Sequence, residues 1–130
     1  MLSNLLLIGI GGFTGAIARY LVFLSTDHLY HKYNFPFGTL ITNLAGCLLI
    51  GIALGLSIKM NIFTRHTTGH YVFVTGFLGA FTTFSTFSQD NLALILQKNY
   101  ALFTTNILLN TFLGLALTMT GYFSVMKIIE

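Results

Sequence analysis

Gly76-Phe77-Leu78-Gly79-Ala80-Phe81-Thr82-Thr83-Phe84-Ser85-Thr86-Phe87-Ser88 sets hydroxyl side chains between phenylalanines inside a run otherwise apolar enough to cross a membrane. Against lipid such hydroxyls have no outside partner, so the stretch marks a polar pathway through protein. The segment around it, Tyr71 to Leu96, is about 26 residues long and would make ~39 Å of α-helix, more than a ~30 Å hydrocarbon core needs. Two readings follow. In one, the helix breaks near Gly79 to Thr83, and the freed carbonyls meet another chain, water or an ion, because each group left unpaired in lipid costs several kcal/mol. In the other, Ser and Thr bond back to the preceding turn and the helix runs on with a bend. Two breaks meeting at the centre of an antiparallel dimer would make an oxygen cage suited to one monovalent cation.

Working outward, the 130 residues are 55% hydrophobic and only 7% charged, too few charges to keep a soluble domain dispersed. Four segments are long and apolar enough to span: Leu2 to Leu24, Thr39 to Ile58, Tyr71 to Leu96 and Tyr100 to Val125. The linkers, Ser25 to Gly38 with the only proline (Pro36), Lys59 to His70, and Gln97 to Asn99, are too short to fold separately. The expectation is an all-α integral membrane protein in which residues 1–130 form a single four-helix transmembrane domain. The first span lacks a basic leader and carries Arg19 where a cleavage site would need small residues, so it is expected to be retained. Gly11 with Gly15, Gly51 with Gly55, and Gly114 with Gly121 have the spacing of close helix packing and are assigned no chemistry.

Lys59, Arg65 and Lys127 fall on one side of the membrane and Lys32 and Lys98 on the other, a difference of one basic residue. Orientation is therefore weakly specified, and an antiparallel, dual-topology homodimer is expected. The net charge of +3 comes from scattered residues that form no basic patch, which excludes nucleic acid. Cys47 is the single cysteine, so no intrachain disulfide exists.

Among residues that can carry chemistry, Arg19 is a charge within the first span that either faces an aqueous vestibule, concentrating anions, or snorkels to the interface. Asn43 can donate to an anion, although an interhelical bond is the commoner fate of such an amide. Phe84 and Phe87 share a helix face among Thr83, Ser85, Thr86 and Ser88, and their electropositive ring edges can assist an anion partly solvated by hydroxyls and amides. The pairs His28 with His31 and His66 with His70 have metal-compatible spacing but read as surface histidines. Asp90 is left with three options: ending the polar run at the interface, bonding within its helix, or attracting a cation.

The run Gly11-Gly12-Phe13-Thr14-Gly15-Ala16-Ile17-Ala18-Arg19-Tyr20, the run Pro36-Phe37-Gly38-Thr39-Leu40-Ile41-Thr42-Asn43-Leu44-Ala45-Gly46, and Gly76 through Phe87 occur in order on successive spans. In these three motifs the chain resembles the Fluc-type (CrcB-like) fluoride channels, four-span proteins that assemble as antiparallel homodimers. The resemblance implies a passive, fluoride-selective pathway that exports cytoplasmic fluoride down its electrochemical gradient through a multi-pass protein of the inner or plasma membrane. It implies two pores along the dimer interface and a structural sodium ion held by the backbone carbonyls of Gly79 and Thr82 from both subunits. It also implies Phe84 and Phe87 as pore phenylalanines, Asn43 as a pore donor, Arg19 as the vestibule charge, and Thr39 and Ser85 as polar neighbours. Along the fourth helix Asn106, Asn110 and Gly114 align with the family's polar track; Asn donates there and Gly does not. Ala80 stands where a second glycine is common.

Two competing readings belong to other classes. A dual-topology, proton-coupled antiporter for small cations or drugs wants a central carboxylate, and the acids Asp27, Asp90 and Glu130 all lie away from mid-span. A non-conducting structural subunit, for example of a paralogous heterodimer, would need Phe84, Phe87 and Asn43 for assembly but not for flux. An enzyme is not expected, since no acid, base and nucleophile converge in the pattern.

Overall fold

Apolar runs of this length leave the backbone no partner but itself, and helices follow. The structure is a computed structural model that describes residues 1–129, so Glu130 lies outside the described residues. It is all-helical, with no strand among those residues. Helix α1 is Leu2–Tyr33 and α2 is Phe37–Met60. The third segment comes in two pieces, α3 over residues 70–81 and α4 over Phe84–Leu96. Helix α5 is Tyr100–Ile128, and it, α1 and α2 are each long and apolar enough to cross a membrane. π-Type winding occupies His70–Leu78 in α3 and Leu109–Leu113 in α5.

The first boundary differs from the sequence expectation of a linker over residues 25–38, because α1 runs on to Tyr33. Hydropathy registers where lipid ends, whereas a helix stops only where its backbone is interrupted. Ser25 and Thr26 bond back to the carbonyl of Val22, at 2.9 and 2.8 Å, so their hydroxyls do not compete with the helix. The turn is ended by Asn34 at φ 51°, whose N–H donates to the Tyr30 carbonyl, just before Pro36.

The helices pack in two seams. α1 lies along α3, and α2 lies along the second half of α5. At the first seam a Cβ on Gly11 or Gly15 would run into the backbone carbonyls of Val72 and Phe77, and one on Gly76 would come within 2.9 Å of the Gly11 Cα. Backbone meets backbone there, which only glycine permits. At the second seam Gly51 faces the Thr118 backbone, and the Thr118 hydroxyl donates to the Cys47 carbonyl at 3.0 Å. Within α3 the rings of Phe73, Phe77 and Phe81 stack at 5.6 and 5.5 Å, and Phe63 from the preceding loop continues the column at 5.3 Å.

At the end of α3 the chain leaves helical geometry for two residues. Thr82 (φ −85°, ψ 159°) and Thr83 (φ −151°, ψ 117°) are extended, and α4 starts at Phe84. Here the third segment changes neighbours: α3 packs on α1, while α4 packs on the first half of α5. The interior these elements enclose is unusually polar, holding Thr39, Thr42, Thr83, Asn91 and Asn106, while Leu5, Leu6, Ile10 and Phe13 of α1 face outward. Apolar residues outside and hydrogen-bonded polar residues inside is the distribution that lipid selects.

Candidate functional site

Thr83 begins the site. As the N-cap of α4 its hydroxyl accepts from the Thr86 N–H at 3.2 Å and lies 3.0 Å from the Thr86 hydroxyl and 3.2 Å from that of Ser85. Its own N–H, which would otherwise have extended the α3 ladder, is taken by Asn43 Oδ1 at 2.9 Å. That bond fixes the amide of Asn43, whose Nδ2 then donates to the Thr83 carbonyl at 3.3 Å and to Asn110 Oδ1 at 3.0 Å. Asn43 thus reads the N–H and C=O of one residue at once, holding the link between α3 and α4 against α2.

Beside this contact lies a groove of about 480 Å³, lined by Asn43 and Cys47 of α2, Gly79 and Thr82 at the link, Phe84 and Phe87 of α4, and Asn110 of α5. Gly46 lets Thr82 sit directly on α2, since a Cβ there would collide with the Thr82 methyl. The rings of Phe84 and Phe87 are 5.8 Å apart and tilted by 45°, and Phe84 is 78% exposed. Ring faces, ring edges and amide groups therefore border one space. The helix end adds carbonyls. That of Leu78 accepts from the N–H and hydroxyl of Thr82, at 3.1 and 3.0 Å, while the Thr83 N–H, the next donor of the ladder, goes to Asn43 instead.

Of the residues singled out from sequence, the groove thus gathers Asn43, Phe84, Phe87, Asn110, Gly79 and Thr82. Asn106 lies behind it, wholly buried, accepting from Asn110 through both its side chain (2.9 Å) and its backbone carbonyl (3.0 Å). Ser85 is exposed and reaches the groove only through Thr83. Thr39 belongs to a second, smaller cavity of about 330 Å³, where its hydroxyl donates to Asp90 at 2.6 Å. That interhelical bond is a fate the sequence reading of Asp90 did not include. Arg19 is half-buried on α1, lines neither cavity, and makes no ion pair among the described residues. Three of the four histidines have local partners: His31 faces Asp27 at 3.5 Å, His66 Nδ1 lies 3.1 Å from the Tyr71 hydroxyl, and His70 Nδ1 lies 3.1 Å from the Phe63 carbonyl.

Sequence reasoning missed Asn91. It is 8% exposed, donates to the Phe87 carbonyl at 2.9 Å and accepts from Asn106 at 3.0 Å. The available signal was its spacing, four residues after Phe87 on a helix expected to carry the site.

Helices long and apolar enough to cross a bilayer, packed around hydrogen-bonded polar residues and bordering an open aromatic groove, define a multi-pass cell-membrane protein. Residues 6–122 match the family described as CrcB-like protein, Camphor Resistance (CrcB), and the chain belongs to that family. It is 42% identical over 128 residues to the fluoride-specific ion channel FluC of Campylobacter jejuni, covering 94% of this chain and 97% of that one. It is also 39% identical over 122 residues to the protein of the same name from Azobacteroides pseudotrichonymphae, at 94% and 95% coverage. The namesake from Flavobacterium psychrophilum is 37% identical over 120 residues, at 92% and 94% coverage.

Proposed function

We propose that this chain is a fluoride-selective, passive anion channel working as an antiparallel homodimer with two pores, through which cytoplasmic fluoride leaves down its electrochemical gradient. The observation that carries the reading is the meeting of Asn43, Phe84 and Phe87 in one groove at the α3–α4 link. Fluoride is small and strongly hydrated, so a selective pore must replace water with close donors and exclude larger halides by size. Amide and hydroxyl donors with phenyl edges meet both demands. Asn43 has both amide hydrogens engaged, and its contact to the Thr83 carbonyl, at 3.3 Å, is the longer of the two. An anion entering beside Phe84 would take that hydrogen in exchange for the weakest existing bond.

The dimer is supported by the exposure of Phe84: a groove with an open aromatic side needs a second wall, and a copy of the chain inverted in the membrane supplies one. A sodium ion at the dimer centre fits the donor set, because α3 ends at Phe81 with carbonyls that its own ladder no longer serves and that cannot be left bare in lipid. Gly79 and Thr82 would hold it through those oxygens, where it would supply fixed positive charge near the passage. Arg19 would act in the vestibule, Thr39, Ser85 and Asn110 along the polar path, and Asn106 behind that path as a support for Asn110.

Proton-coupled exchange of cations is less well supported. The acid of the third segment, Asp90, is bonded to Thr39 outside the groove and meets neither Phe84 nor Asn43.

Fluoride efflux from liposomes holding the purified protein, read with a fluoride electrode and with chloride as competing anion, tests the proposal. Rapid fluoride release without chloride release, lost in Phe84→Ile, is the expected result. Absence of release from well-folded wild-type dimers would overturn the homodimeric channel.

A further inference from the structure

Four asparagines from three helices form one directed chain of hydrogen bonds that begins at the N-cap of α4 and ends within its first turn. Its first link is the Thr83 N–H donating to Asn43 Oδ1. Asn43 Nδ2 donates to Asn110 Oδ1, Asn110 Nδ2 to Asn106 Oδ1, Asn106 Nδ2 to Asn91 Oδ1, and Asn91 Nδ2 to the Phe87 carbonyl, every side-chain link falling between 2.9 and 3.0 Å. Main-chain groups set the direction at both ends, since an N–H only donates and a carbonyl only accepts. No single amide can turn over without opposing two donors or two acceptors at its neighbours. The anchors bracket the turn that carries Phe84 and Phe87.

We infer that Asn91 and Asn106 are positioning residues: they close this loop and thereby hold the Phe84–Phe87 turn and the amide of Asn43 in one arrangement. The inference rests on the channel reading for its consequence, not for its geometry. Asn106 is fully buried and Asn91 nearly so, so neither meets an ion in the groove and both act through Asn110 and Phe87. Donors held at fixed positions discriminate by size, whereas donors free to move adapt to a larger anion.

The test compares wild type with Asn91→Leu, Asn91→Asp and the double variant Asn91→Leu/Asn106→Leu, by fluoride and chloride efflux from liposomes and by hydrogen exchange over residues 82–88 without fluoride. Asn91→Asp keeps the acceptor for Asn106 and loses the donor to Phe87. The double variant removes both partners of the buried bond, and Asn110 keeps the backbone carbonyl of residue 106, so it folds even where the single leucine does not. In all folded variants fluoride efflux is expected to fall about tenfold, equivalent to about 1.4 kcal/mol of barrier. Chloride efflux should emerge and exchange over residues 82–88 should rise, with dimer elution unchanged. Wild-type efflux and exchange in the double variant would overturn the inference and leave the amides as space-filling. If wild type itself releases no fluoride, the channel reading fails, and the exchange comparison alone decides whether the loop holds the turn.

Discussion

The two halves of the third segment solve the same problem, holding a helix in a membrane, by opposite means. Residues 70–81 are π-wound as far as Leu78, carry a stacked phenylalanine column, and press backbone to backbone on α1 through Gly11, Gly15 and Gly76. Phe84–Leu96 instead is capped by Thr83 and tied to α2 and α5 through amides. The first half depends on what its glycines lack, the second on what its side chains offer. Shape complementarity fixes a surface, and directed bonds fix the orientation of individual groups; the groove sits where the second method takes over.

That contrast can be broken from either side. The largest effect is expected from Gly15→Val, whose Cβ meets the Phe77 backbone: a loss above about 3 kcal/mol, seen as failure to purify a monodisperse protein. Asn43→Leu strips the Thr83 N–H of its partner and should lower stability by about 1–3 kcal/mol, read from thermal unfolding in detergent, and abolish fluoride efflux. Thr83→Ala removes the α4 cap at a cost of about 1 kcal/mol, and exchange should rise over the first turn of α4 while α3 stays protected. The smallest effect is Ser88→Ala. Its exposed hydroxyl bonds only within its own helix, to the Phe84 carbonyl, so stability should stay within about 0.5 kcal/mol and efflux should match wild type.

The helices and the glycine seams were legible because lipid imposes a simple demand on composition, and small residues at close spacing have few other uses in a membrane. The end of α1 was not, since nothing in hydropathy distinguishes a helix that emerges into water from a loop. Within the site, Asn43, Phe84 and Phe87 were legible as residues of the right chemistry. What brings them together is a bond between Asn43 and Thr83, forty positions apart. The pairing of Thr39 with Asp90 and the role of Asn91 were hidden for the same reason: an amide or hydroxyl has no sequence signature for its partner. The resemblance named Asn106 as part of a polar track, and its complete burial behind the groove had no mark in the sequence.

The amide loop also constrains the order of assembly. Its members sit on α2, α4 and α5, and the last of these three in chain order contributes the middle of the chain, Asn106 and Asn110. Until that helix enters, Asn43 and Asn91 have no route to one another, whereas the contact of α1 with α3 needs only the segments already made. The glycine seam can therefore form early, during insertion, and the loop closes late, as a step whose completion certifies that α2, α4 and α5 have found one another.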